Sequence, residues 1–160
     1  MRSGGPASFN VVARPRSLFT FEFDCFDTDE EIIVSFRHRA FRSSGEIDVA
    51  GAAYTVAREG AGLGVRRVGS DDRVVTMAAQ GRGQMTVTWE RRSITLARAG
   101  IGFRMILISE GRQVGRLGLR DLFGRTMILD CEQQLPPVVV GSLFWLAVAR
   151  RRQLLMVGSG

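Results

Sequence analysis

The chain has 160 residues and a mass of 17.6 kDa, one domain's worth of polypeptide. Hydrophobic residues make up 45% and charged residues 24%, which excludes a disordered tail, a collagen and a disulfide scaffold. All 22 basic residues are arginine, against 16 acids, and the excess is uneven: residues 1–59 hold 7 Arg and 9 acids, residues 60–160 hold 15 Arg and 7 acids.

In chain order, Met1 to Ser8 is a Gly/Pro/Ser segment without an apolar core. It reads as a frayed tail and not as a signal peptide. The run Leu18 to Cys25 places Phe19, Phe21, Phe23 and Cys25 on one face and Thr20, Glu22 and Asp24 on the other, the period of a half-buried strand. An acidic turn, Asp27 to Glu31, leads to a second strand over Ile32 to Arg39. Short strands follow at Glu46–Ala50 and Ala53–Glu59, with Gly60 to Gly64 as a flexible connection and an extended stretch over Val65 to Val68. Further strands are expected over Arg73–Ala79, Met85–Trp89, Ser93–Arg98, Phe103–Ser109, Gln113–Leu119 and Thr126–Cys131. Many short strands with Gly-bearing turns mean an all-β antiparallel sandwich or barrel.

The pattern changes at Leu135. Pro136 to Ala149 has no polar face and is closed by Arg150-Arg151-Arg152. Proline suits a first helical turn and arginine suits the negative end of a helix, so a helix is expected over residues 137–152. A helix apolar all round must be enclosed. At 1.5 Å per residue its uncharged part spans about 22 Å, short of a bilayer core. Enclosure by the chain's own strands is therefore preferred to a membrane anchor or to a strand through Val138-Val139-Val140. Val139, Leu143, Phe144, Trp145, Leu146 and Val148 are its expected core residues. Residues 153–160 read as a loose tail.

Strands ending in one apolar, arginine-capped helix resemble the tubby-like superfamily, near its LURP-one-related proteins and phospholipid scramblases. The resemblance is carried by Phe21-Glu22-Phe23-Asp24 and the Asp27–Glu31 turn, Val114-Gly115-Arg116-Leu117 to Phe123-Gly124-Arg125, and Leu135-Pro136-Pro137 through Trp145-Leu146 to Arg150-Arg151-Arg152. It implies one domain over residues 9–152, a closed antiparallel barrel of about twelve short strands around the C-terminal helix. It further implies a non-enzymatic binding module that engages anionic membrane lipid or a protein partner. The alternative it implies is calcium-dependent lipid scrambling, with the helix as anchor and Asp24, Asp27 and Asp29 at the metal.

The residues themselves hold few chemical motifs. His38, the one histidine, stands between Arg37 and Arg39 with no nucleophile or carboxylate partner in sight, and is expected on the surface. Gly60-Ala61-Gly62-Leu63-Gly64 precedes an extended segment, where a phosphate loop would need a helix. Cys25 and Cys131 stand far apart without a ligand set, which suggests buried thiols in a reducing cytoplasm. No cofactor and no catalytic constellation are expected. The candidate anion-binding residues are Arg66, Arg67, Arg91, Arg92, Arg120 and Arg125. Arg150 to Arg152 read as helix-end charge. Specific nucleic-acid recognition is not expected, because the apolar helix offers no base-reading face and the aromatics are not interleaved with arginine.

Overall fold

A computed structural model of the chain describes residues 8–17, 21–39, 44–81, 83–100, 104–120 and 124–157, with side chains through Arg152. Its strands are β1 (Phe9–Pro15), β2 (Glu22–Phe26), β3 (Ile32–His38), β4 (Gly45–Val49), β5 (Ala52–Glu59) and β6 (Gly62–Arg67). The set continues with β7 (Arg73–Ala79), β8 (Met85–Trp89), β9 (Arg92–Arg98), β10 (Arg104–Ser109), β11 (Arg112–Leu119) and β12 (Met127–Cys131), before helix α1 (Pro137–Val157). Each strand pairs antiparallel with its sequence neighbours, and β1 pairs with both β2 and β12, so the sheet closes. Closure removes the open edges that would otherwise template aggregation.

Alternation decides which side chains enter the lumen. Phe23 and Cys25 of β2, Val34 and Phe36 of β3, and Leu107 of β10 point inward and are nearly inaccessible. Tight hairpins keep the strands in register. Ala50-Gly51 and Glu110-Gly111 both have positive φ at their two central positions, the turn whose twist matches a right-twisted hairpin.

The helix fills the lumen. Val139, Leu143, Phe144, Trp145, Leu146 and Val148 are each at most 5% exposed. Stacked rings run from wall to helix: Phe23 lies 4.9 Å from Phe36, and Phe36 lies 6.4 Å from Phe144. The helix leans on β3 and β4. There Gly141 allows the close approach, since a Cβ would sit 2.9 Å from Val34 and 3.0 Å from Ile47. Buried Ser142 satisfies its hydroxyl by donating to the Val138 carbonyl at 2.7 Å. Among the described residues no helix is long and apolar enough to cross a membrane.

The antiparallel order gives the barrel two distinct mouths. Even strands end and odd strands begin at one, the entry mouth, where α1 starts after β12. The helix leaves through the other, the exit mouth. Its 21 residues span about 32 Å, longer than the walls of five to eight residues, so its last turns clear the barrel.

Four expectations are corrected. β1, which no alternation in the sequence announces because only Val11 and Ala13 point fully inward, is the strand that closes the barrel. Gly62 to Gly64 is strand β6 and not a flexible connection; Gly64 leaves room for Glu59, whose carboxyl would lie 2.4 Å from a Cβ there. The helix runs past Arg152 to Val157, into the expected tail. His38 is buried, at 8% exposure, because it continues the inward parity of Val34 and Phe36. The Leu18–Thr20 part of the expected first strand, with Phe19 on its inner face, Phe103, Phe123 and both extreme tails lie outside the described residues.

A candidate anion-binding mouth

The arginines named from the sequence do not form one site. Arg66 and Arg67 end β6, Arg91 sits in the β8–β9 turn and Arg92 begins β9, so these four stand at the entry mouth. Arg120 and Arg125 stand in the β11–β12 connection at the exit mouth. The cause is chain direction, since even-strand ends and odd-strand ends lie at opposite mouths.

Arg66 is also engaged already. It donates to the Glu59 carboxylate and to the Asp71 carbonyl, while Arg73 meets the same Glu59 at 2.9 Å. The hydrogen bond from Arg66 holds the Glu59 carboxyl below its ordinary value. Arg67, Arg91 and Arg92 are exposed. They share the entry mouth with the acids of its turns, among them Asp29, Glu31, Asp71, Asp72, Glu90 and Glu110.

The acidic candidates are likewise separated by their partners. Asp24 accepts from Arg16 at 3.0 Å and from Ser35 at 2.6 Å. Burial pushes its carboxyl up, and those two bonds outweigh burial and hold it below the ordinary value. Asp27 caps its own turn, accepting from the backbone N–H of Asp29 at 2.9 Å and of Glu31 at 3.0 Å. Asp29 is exposed in that turn. Among the described residues no group of three or more His, Cys, Asp or Glu is arranged to hold a metal ion.

The exit mouth has the opposite character to the entry mouth. Arg98, Arg104 and Arg120 stand exposed around it. Arg37 and Arg39 are paired with Glu22 and Glu46. At its centre the helix delivers Arg150, Arg151 and Arg152, all half-buried.

Four side chains converge there. The Arg152 guanidinium lies 3.8 Å from the centre of the Phe21 ring, and its Nη1 is 2.8 Å from His38 Nδ1. Since arginine only donates, His38 accepts through Nδ1 and carries its proton on Nε2. Arg125 lies 5.2 Å from the same Phe21 ring and 5.5 Å from Phe23, and donates to the Ser17 carbonyl at 3.0 Å. Burial, then the neighbouring charge of Arg125, pulls Arg151 below its ordinary value; burial alone does so for Arg152. Burial and the Arg152 charge bring His38 down to about 4, so it is neutral at physiological pH.

Beneath this layer His38 packs on Trp145 at 4.9 Å between ring centres. The indole nitrogen faces β4 at Gly45, where a Cβ would come within 2.3 Å of it. Sequence reasoning missed His38, although its strand parity marked it as inward. It also assigned the three helix arginines to the helix end. The helix continues beyond them, and its last turn holds no basic residue.

Among solved structures, the chain is similar to an X-ray structure of a protein from Arabidopsis thaliana, with a TM-score of 0.63 and 11% identity. The likeness covers 92% of this chain and 93% of that one and establishes the shared fold. No family model matches the chain, and no curated protein matches its sequence.

Proposed function

We propose that the chain is a non-enzymatic binding module of the tubby-like superfamily, nearest the LURP-one-related proteins, that engages anionic phospholipid surfaces with its exit mouth. The fold likeness supports the family reading. One observation carries the ligand reading: among the described residues the barrel is electrically two-ended, with arginine-rich surface where the helix leaves and most turn acids at the far mouth. A basic end presented to an anionic leaflet gains roughly 1 kcal/mol for each arginine near the surface. The lumen is occupied by side chains of the helix, so binding falls to the outer surface of this mouth.

The test is co-sedimentation of the full chain with vesicles of phosphatidylcholine alone or mixed with phosphatidylserine. The proposal expects capture by the mixed vesicles only, falling steeply as salt rises past physiological strength, where the screening length is about 8 Å. Capture that ignores lipid charge and salt, or none at all, would remove the electrostatic reading.

A further inference from the structure

We propose that Arg151 and Arg152, with Arg125 beside them, form a specific site for a phosphoryl group carrying two negative charges. The inference deepens the membrane reading by naming its contact, and rests on that reading only for a lipid as the source of the phosphoryl group.

Several arginines of the barrel are matched with carboxylates, among them Arg16 with Glu22 and Asp24, Arg39 with Glu46, and Arg112 with Glu132, and the strand arginines without one, such as Arg58, Arg98, Arg104 and Arg116, are exposed to water. Among the described residues Arg151 and Arg152 have no such carboxylate, yet both are half-buried. Removing a guanidinium from water without an anion is unfavourable, and like charges beside it add to the cost. An anion bound there reverses both effects.

Phe21 offers one ring to two guanidiniums, Arg152 at 3.8 Å and Arg125 at 5.2 Å, which gathers two positive charges around one side chain. His38 fixes one nitrogen of Arg152 as a neutral acceptor. The other donors of that fork are left for a ligand, since a guanidinium has five N–H groups. Forks held in position suit the oxygens of a phosphoryl dianion, which accepts several charge-assisted bonds at once. The extension of α1 to Val157 removes the competing explanation that these arginines serve the helix end.

His38 is the single histidine, so its ring signals in NMR report on Arg152 without ambiguity. The full chain is titrated with inorganic phosphate, with sulfate as comparison, and separately with vesicles. The vesicles carry either phosphatidic acid, a phosphomonoester, or phosphatidylglycerol, a phosphodiester, at matched surface charge. The site predicts a saturable shift of the His38 signals with phosphate. It also predicts binding weakened tenfold or more in R151Q and R152Q, with partial recovery in R152K, which keeps the charge but loses the fork. R73Q/R112Q, which removes the same charge as R151Q/R152Q from the other mouth, should bind phosphate as wild type does, and matching thermal melts establish that each variant is folded. No saturable shift with phosphate, or an equal loss in R73Q/R112Q, overturns the site. A phosphate response without vesicle capture upholds the site for a free phosphate ligand and sinks the membrane reading. Capture by both vesicle types that survives in R151Q/R152Q upholds the membrane reading and overturns the site.

Discussion

Acidification from pH 7 to pH 5 is expected to cost the protein about 2 kcal/mol of stability through His38. Burial and Arg152 hold the folded imidazole at about 4, against its ordinary 6.5. The folded state therefore binds fewer protons than the unfolded chain. The contribution is whole above the unfolded value and is lost as pH falls from there toward the folded one. One pKa unit is worth about 1.4 kcal/mol, and pH 5 lies about 1.5 units below the unfolded value while still above the folded one. Asp24 and Glu59, held below their ordinary values, lose their contributions only at lower pH. Urea unfolding at the two pH values, on wild type and H38Q, isolates the effect. Glutamine keeps an acceptor for Arg152 but does not titrate. Wild type should lose about 2 kcal/mol more than H38Q over the window. Equal losses, or a folded His38 that titrates at its ordinary value by NMR, would refute the reasoning.

Three other outcomes follow from the packing. L146A should lower stability by about 2–5 kcal/mol in a chemical melt, and L146D should leave no cooperative transition, because it places an unpaired charge in the lumen. G45A should destabilise by about 1–3 kcal/mol, since a Cβ there meets the Arg37 carbonyl at 2.2 Å and the Trp145 indole nitrogen at 2.3 Å; wild-type stability would show that the helix does not press on β4. Burial pushes both the Cys25 and Cys131 thiols up, so iodoacetamide should leave them intact at neutral pH until denaturant is added. Rapid alkylation of the folded chain would contradict the closed wall at β1, β2 and β12.

The barrel was legible because period two is strong wherever one strand face is buried, as in Met85–Trp89, and the helix because fourteen successive residues from Pro136 to Ala149 lack charge. β1 was not legible, since Val11 and Ala13 gain their burial from pairing with β12, far along the chain. The site was the least legible part. Arg125, Arg152, Phe21 and His38 meet only after the sheet closes and the helix passes through it. Strand direction, which no local pattern carries, separated Arg66, Arg67, Arg91 and Arg92 from Arg120 and Arg125.

The two-ended barrel is tested most directly by removing equal charge from each mouth and measuring affinity for phosphatidylserine vesicles. R98Q/R104Q/R120Q alters the exit mouth and R67Q/R73Q/R112Q the entry mouth. The account predicts that the first variant loses most of its vesicle affinity and the second keeps it. Equal losses would mean that net charge alone drives binding, and would contradict an oriented, arginine-faced mouth.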